Sequence, residues 1–463
     1  MRCLQSHYLS EYDASKRIWV NAYPWLFPGG VGDLYDAKRG KTDTRAWAQH
    51  LLQYHDGRFM ADQMFTLYVF NFLQREINNN QGSWFFNTEK FWGAKAPTVE
   101  ELKEDIAKGD TTWISKLQYF SQNIRGSDNW WRNKSKELEH WIHHHIGIGN
   151  GPPTFFITLS CAEYWWQDLR RLMIELETHA GEMKRVEILK KDTDDGFKEM
   201  AKSIRRWTAH VNDFFMKRAK SFMENILKDA MGIEHYWGRV EFAPGRGQIH
   251  LHILAISKDK AYLEKYYKAE TEKEKVAAVA EYAEKVLDMT ADVDVDEDPG
   301  YKADRTTSPL LSKYCQVVDR EKDLRGLCQD CMVHHCNDFC LKPTKEQIPR
   351  CCRVRAGRET VKGKKDTLGW ELRESHAIIT DNRGIKHLEL RRTKSRRILQ
   401  HSKSLLETWR ANCDVKILIY DSDPNLPDIN EIDNVIRYLV AYAVKKNKTH
   451  SQEHTIIEDL IKR

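Results

Sequence analysis

The stretch HYWGRVEFAPGRGQIHLHILAI, residues 235–256, has the pattern of two short β-strands joined by a turn. Two runs rich in β-prone residues, 235–242 and 248–256, flank the segment APGRG at 243–247, whose proline and glycines are typical of a turn. The sequence therefore predicts an antiparallel hairpin. Because residues two apart in a strand point to the same face, His250 and His252 should project together, while the aliphatic residues between them face a core.

Two imidazoles side by side on a strand supply two ligands of a metal site. If the turn is centred between Gly245 and Arg246, Glu241 lies directly opposite His250 and shares its face. We therefore predict a divalent ion held by His250 and His252, with Glu241 as the first candidate for the third ligand and Gln248 as the second. A plain surface contact between Glu241 and a histidine would give the same pattern.

The length and composition of the chain indicate the class of protein in which this hairpin lies. A chain of 463 residues exceeds one ordinary core, so more than one domain is expected. The net charge of +5 is too small to indicate a nucleic-acid partner by itself. Since no apolar run reaches the roughly 18 residues of a membrane span and the first residues lack a secretory pattern, we expect an intracellular protein without a membrane partner.

Four regions follow from the changes of pattern along the chain. We predict a helical N-terminal domain over 1–145, then a mixed region over 150–310 that begins with the strand TFFITLS at 154–160. A cysteine-rich insert over 312–356 interrupts it, and 357–463 complete it with a buried strand at 415–421 and a helix at about 430–446. Longer helices are expected at about 197–229 and 259–289.

The insert holds seven of the ten cysteines, between Cys315 and Cys352. Clustering of this kind in an intracellular chain favours zinc over disulfides. Cys328-x2-Cys331 has the spacing of a zinc knuckle, and zinc takes four Cys or His ligands in a tetrahedron. Eight side chains could serve one or two zinc ions: Cys328, Cys331, His334, His335, Cys336, Cys340, Cys351 and Cys352.

Tyr438 and Tyr442 lie four residues apart in the last predicted helix and so share one face. They could anchor that helix as amphipathic side chains. They could also be two phenol nucleophiles, with Lys445 placed to hold phosphate. A phenol with a pKa near 10 attacks phosphate poorly at neutral pH unless the phosphate is polarised, which a metal on the histidine strand would provide.

A basic segment over 383–403 carries eight Lys or Arg residues and almost no acid. It is either a phosphate-binding segment or a solvated helix face.

Several stretches together resemble the N-terminal region and endonuclease domain of Helitron transposases, which are related to rolling-circle replication initiators. The resemblance runs from about residue 20 to 450, in the family's order. It rests on AYPWLFPGGVGD (22–33), TFFITLSCAEYWWQDL (154–169), RVEFAPGRGQIHLHILA (239–255), HHCNDFCL (334–341), CCR (351–353), WRANCDVKIL (409–418) and YLVAYAVKK (438–446).

The resemblance implies an α+β fold: an antiparallel sheet of the HUH endonuclease type flanked by helices, with a helical N-terminal domain and a small zinc-binding insert. It implies an enzyme that nicks and rejoins single-stranded DNA with Mg²⁺ or Mn²⁺ through a 5′-phosphotyrosine. His250 and His252 would bind the metal, and Tyr438 and Tyr442 would be the nucleophiles. The family's pattern favours His334, Cys336, Cys340 and Cys352 as zinc ligands, with Cys328 and Cys331 next.

The chain departs from the family in two places. Members carry a Gln and a Lys-Arg-Gly run before the histidines, where this chain has APGRG at 243–247, so the third metal ligand stays open. The sequence contains no Gly-x4-Gly-Lys-Ser/Thr phosphate loop, so we expect a truncated or domesticated copy that relies on a helicase in cis or in trans. A DNA substrate implies nuclear location. The alternatives are a catalytically inactive transposon-derived DNA-binding protein and an unrelated metal-dependent hydrolase that uses His250, His252 and Glu241.

Overall fold

The computed structural model describes residues 14–36, 43–87, 128–242, 248–296, 307–313, 316–334, 372–380, 386–395 and 397–420, with the single residues 104, 108, 304 and 437. The chain divides into two compact units. The first unit holds the described residues up to Asn133, and the second holds those from Lys134 onward. Within the described residues no helix has both the length and the apolar content needed to cross a membrane.

The described elements of the first unit are helices. Its core surrounds Trp19, which makes edge contacts with Trp47, Phe65 and Phe72. Phe65, Val69 and Phe72, which lie on one face of a helix, are buried in this core. The helices are α1 (Ile18–Ala22), α2 (Thr44–Leu52), α3 (Arg58–Ala61) and α4 (Gln63–Asn87).

The second unit combines helices with a four-stranded sheet. Its first helix, which begins just before the boundary between the units, is α5 (Asp128–Gly147). The other described helices are α6 (Gln167–His179), α7 (Met183–Leu189), α8 (Asp194–Arg206), α9 (Thr208–Phe222), α10 (Lys228–Ala230), α11 (Ala261–Lys268), α12 (Glu272–Lys285), α13 (Arg320–Leu327) and α14 (Lys403–Trp409). Two π-helical turns, Met223–Leu227 and Cys328–Met332, follow α9 and α13.

Two of the long predicted helices are each interrupted. The helix expected over 197–229 begins at Asp194 and breaks at Trp207, whose φ of −109° and ψ of 32° are not helical. The break accompanies a hydrogen bond from the Trp207 indole to the buried Glu177 carboxylate. The helix expected over 259–289 is divided into α11 and α12, because Thr271 and Glu274 form a capping box that starts a new helix.

The strands are β1 (Phe155–Ser160), β2 (Ile233–Phe242), β3 (Ile249–Ser257), β4 (Met289–Thr290), β5 (Ala377–Thr380), β6 (Lys386–Glu389), β7 (His401–Ser402) and β8 (Cys413–Ile417). The main sheet has the order β2-β3-β1-β8 with antiparallel pairing throughout. Two small antiparallel pairs, β4 with β7 and β5 with β6, lie outside it. The predicted hairpin is confirmed as β2 and β3, and the molecule is of mixed α+β type.

One face of the main sheet belongs to the core. Ile157, Ile253 and Val415, which lie in register on β1, β3 and β8, are each fully buried. The opposite face carries polar side chains on all four strands. This alternation positions the candidate site.

Candidate metal face of the sheet

The hairpin has the register that the sequence predicts. Glu241 lies opposite His250, and Arg239 lies opposite His252. On the other side of β3, β1 places Ser160 opposite His250 and Thr158 opposite His252. Since directly opposed residues in an antiparallel pair share a face, these side chains lie on one side of the sheet. We call the following set the polar face: Thr158, Ser160, Arg239, Glu241, His250, His252 and Asp414.

His252 is the most enclosed histidine of the polar face, with 7% of its surface exposed. Its Nε2 atom lies 3.1 Å from Oε2 of Glu241, and its Nδ1 atom lies 3.0 Å from Oγ1 of Thr158. The Phe156 ring stacks on the imidazole with a centroid distance of 5.7 Å. The imidazole is therefore held on both nitrogens and over one face.

His250 is held by its own strand. Its Nδ1–H donates to the backbone carbonyl of Gln248 over 2.8 Å, which fixes the tautomer that has its lone pair on Nε2. This is the arrangement that metal-binding histidines use. The Gln248 amide nitrogen donates to the carbonyl of Cys161, so the Gln248 side chain reaches toward the end of β1. Of the two candidates for the third ligand, Glu241 is the one whose side chain contacts a histidine of the pair, since Gln248 contacts His250 through its backbone carbonyl.

The donor set suits a divalent cation in its chemistry, because it combines two imidazoles with a carboxylate. Two ligands about 2.1 Å from one octahedral ion, at right angles to each other, lie about 3 Å apart. The His252–Glu241 separation of 3.1 Å is close to that value. Among the residues that the structure describes, however, no three His, Cys, Asp or Glu side chains are grouped closely enough to form a metal site. The structure brings two of the candidate ligands together and leaves His250 beside them on the same face.

Arg239 and Asp414 are two further ionisable residues of the polar face, and neither was predicted as a site residue. Burial lowers the pKa of Arg239, and the charge of Glu241 opposes that shift. Burial raises the pKa of Asp414, and the charges of Lys416, His252 and His387 oppose it. Asp414 lies opposite Thr158 in β8, so its place depends on a pairing between distant segments. The hairpin register that pairs Glu241 with His250 also pairs Arg239 with His252, whereas no local pattern places Asp414 beside the histidines.

The candidate zinc ligands are only partly within the described residues. Cys328 and Cys331 follow α13 in a π-helical turn, and the backbone N–H of His334 donates to the carbonyl of Arg397. Cys336, Cys340 and Cys352 lie outside the described residues. The described start of the insert is thus helical and packed.

Cys328 contacts a histidine that sequence reasoning missed. It is buried among Leu327, Met332 and Leu406, and its Sγ atom lies 3.1 Å from Nε2 of His401. Burial raises the pKa of Cys328 to about 12, so the group is a thiol in this environment. The contact is then a hydrogen bond from S–H to the imidazole. The cysteine spacing indicates metal, but the position of His401, 73 residues later, carries no local signal.

The basic segment is not a uniform cationic surface. Its described part contains the strands β6 and β7 in place of a solvated helix. Arg392 is buried and lies 3.7 Å from Glu389, while Arg391 and Lys403 pair with Asp292 and Asp288. The helix with the candidate nucleophiles Tyr438 and Tyr442, and with Lys445, lies outside the described residues.

Comparison of the chain with models of known protein families finds one match. The model described as the Helitron helicase-like domain at the N-terminus matches residues 47–255. The match covers β1, β2 and all but the last two residues of β3, and so includes His250, His252 and Glu241. It ends before the cysteine-rich insert and β8. No helicase domain is detected, and a search of curated proteins finds no match. Residues 47–255 of the chain are thus similar to the N-terminal domain of Helitron-type proteins.

Proposed function

We propose that this chain, whose residues 47–255 form a Helitron-like N-terminal domain, nicks and rejoins single-stranded DNA with the help of a divalent metal ion. One observation carries the proposal. Within the matched range, the β2–β3 register places Glu241 opposite His250, and Glu241 contacts the neighbouring His252. The proposed architecture is that of an HUH endonuclease.

The polar face would hold Mg²⁺ or Mn²⁺. His250 and His252 would each donate Nε2, and Glu241 would donate a carboxylate oxygen, with Gln248 as the alternative. When bound, such an ion supplies Lewis-acid polarisation of a phosphate oxygen. The Gln248 carbonyl and the Thr158 hydroxyl hold the two imidazoles in place. Arg239, opposite His252, adds a positive charge on the side where a phosphodiester would bind.

Tyr438 and Tyr442 are the proposed nucleophiles, and Lys445 would contact the same phosphate. The phenol oxygen forms a bond to phosphorus, and the bond from phosphorus to the 3′ oxygen breaks. The phenol loses its proton, and the departing oxygen gains one to become a free 3′-hydroxyl. The 5′-phosphotyrosine remains a diester, so another 3′-hydroxyl can attack it and join strands without ATP.

A structural zinc ion, a helicase partner and a nuclear location are proposed together with this activity. A structural zinc ion would be held in the insert by His334, Cys336, Cys340 and Cys352, with Cys328 and Cys331 as alternatives. Unwinding of duplex DNA would require a helicase in cis or in trans, and the DNA substrate would place the protein in the nucleus.

The deciding experiment uses the full chain with end-labelled single-stranded DNA and Mg²⁺ or Mn²⁺, followed by denaturing electrophoresis. We expect a covalent protein–DNA adduct that is absent without metal and absent in the Tyr438→Phe/Tyr442→Phe double variant. An adduct that persists in the double variant would refute the nucleophile assignment. Binding of DNA without any cleavage would favour an inactive DNA-binding protein.

A further inference from the structure

The hydroxyl group of Thr158 occupies a particular place on the polar face. Thr158 lies between His252 and Asp414 in a row of directly opposed residues that crosses all four strands in the order Arg239, His252, Thr158 and Asp414. Its Oγ1 atom is 3.0 Å from Nδ1 of His252. It therefore contacts the imidazole nitrogen that points away from Glu241.

The proton on the His252 ring decides whether the ring can bind a metal through Nε2. A neutral imidazole carries its proton on one nitrogen and its lone pair on the other. For Nε2 to be a ligand, Nδ1 must carry the proton, and Thr158 must then accept a hydrogen bond from it. In the opposite tautomer the Thr158 hydroxyl donates to Nδ1, and Nε2–H donates to Glu241. Without a cation the second arrangement gives a hydrogen bond from Nε2–H to Glu241, whereas the first places two acceptors 3.1 Å apart and needs a cation between them. The position of the Thr158 hydroxyl proton bears on which of the two arrangements forms.

Asp414 lies on the far side of Thr158 from His252, on the neighbouring strand β8. The two residues are directly opposed in β1 and β8, where side chains on one face lie about 5 Å apart at Cβ. The carboxyl group of Asp414 also interacts electrostatically with His252 itself. In its ionised form Asp414 would favour a Thr158 hydroxyl whose proton points toward β8 and whose lone pair points toward Nδ1.

We propose that Thr158, with Asp414 behind it, is a positioning residue that holds His252 in the tautomer needed for metal binding. This inference rests on the proposed function, because it assumes that His252 is a metal ligand. It gives β1 and β8 a role in the site: they supply the outer contacts that orient the ligands on β3. Such contacts set the ring orientation and the basicity of metal-binding histidines.

The test measures Mn²⁺ binding by electron paramagnetic resonance on the full chain, so it does not depend on a DNA substrate. Thr158→Val removes the hydroxyl and keeps the shape and the β-branched side chain. We expect it to weaken Mn²⁺ binding by about 10- to 100-fold, the usual effect of losing such a contact. Thr158→Ser keeps the hydroxyl and should bind within about threefold of the wild type, whereas Asp414→Asn should weaken binding in the same direction.

Thr178→Val on the exposed end of α6 is the matched control, since it makes the same chemical change away from the sheet. Thermal unfolding of every variant shows whether the fold is retained. If Thr158→Val is unstable, the comparison of Mn²⁺ affinity in Thr158→Ser and Asp414→Asn tests the inference. Wild-type affinity in Thr158→Val, or equal losses in Thr158→Val and Thr158→Ser, would overturn the inference. If wild-type protein binds Mn²⁺ no better than the His250→Ala/His252→Ala variant, the proposed metal site itself fails.

Discussion

The Nε2 atom of His252 lies 3.1 Å from Oε2 of Glu241, although the residue directly opposite Glu241 is His250. The carboxylate therefore reaches diagonally across the hairpin and links the two histidine positions. For this reason we propose Glu241, and not the nearby Gln248, as the third ligand of the metal.

Glu241→Gln should therefore lower both Mn²⁺ affinity and adduct formation, by about 10- to 100-fold. The reason is that an amide oxygen replaces a charged ligand without a change of shape. Mn²⁺ titration and the electrophoretic adduct assay measure the two effects. Gln248→Ala is the comparison variant, because the Gln248 amide contacts the Cys161 carbonyl. A larger loss in Gln248→Ala than in Glu241→Gln would assign the third ligand to Gln248.

A second prediction concerns the buried carboxylate of Glu177, which joins α6, α7 and α8. It accepts hydrogen bonds from Ser203, Trp207, Arg185 and Arg206 over 2.7 to 3.1 Å. Glu177→Gln leaves two guanidinium groups facing an uncharged amide, so we expect the free energy of unfolding to fall by about 3 kcal/mol. Urea unfolding measures this.

The control for Glu177 is Glu175→Gln, two residues away on the exposed side of α6. Exposed substitutions of this type change stability by about 0.5 kcal/mol or less. Equal stability of the Glu175 and Glu177 variants would show that the buried network contributes nothing net.

The part of the site that could be predicted from the sequence is the part that is local. The β2–β3 hairpin follows from alternation around a short turn, and the opposition of Glu241 and His250 follows from the turn's centre. The contact between Thr158 and His252 joins residues 94 positions apart, and Asp414 comes from a still later strand. No local pattern sets the order in which distant strands pair, so the outer half of the polar face was not predictable.

The cysteine-rich insert shows the same limit. The spacing of Cys328 and Cys331 indicates a metal-binding motif, but it does not say which way each thiol points. The π-helical turn that begins at Cys328 places its side chain in an apolar cluster, beside His401 from β7. Residue type and spacing describe what a side chain could bind, and the packing decides what it contacts.

A third prediction is a loss of stability in mild acid through His145 on α5. The His145 ring is buried, lies 4.4 Å from the ring of His235, and accepts a hydrogen bond from Asn150 at Nδ1. Burial lowers the pKa of His145, and the charges of His235 and His144 lower it further. The unfolded chain, with a histidine pKa near 6.5, then binds more protons than the folded chain as the pH falls below that value.

Stability should therefore be fully present above pH 6.5 and should fall as the pH drops from there toward the folded pKa of His145. Urea unfolding at pH 7.5 and pH 5.5 measures the difference. His145→Gln keeps a polar side chain that does not titrate and should reduce the difference, whereas His143→Gln, on an exposed position of the same helix, should leave it unchanged. An equal pH dependence in wild type and His145→Gln would contradict the assignment.

The last prediction separates the two possible roles of the cysteines in the insert. If zinc is held by His334, Cys336, Cys340 and Cys352, Cys336→Ser should lose zinc, as measured by elemental analysis of the purified full chain. Cys328 is buried and its S–H donates to His401, so Cys328→Ala should retain zinc. It should instead lower the free energy of unfolding by about 1–3 kcal/mol, because the alanine leaves a small cavity and an imidazole nitrogen without its donor. Loss of zinc in Cys328→Ala would show that Cys328 is a zinc ligand. Full zinc content in Cys336→Ser would contradict the predicted set of ligands.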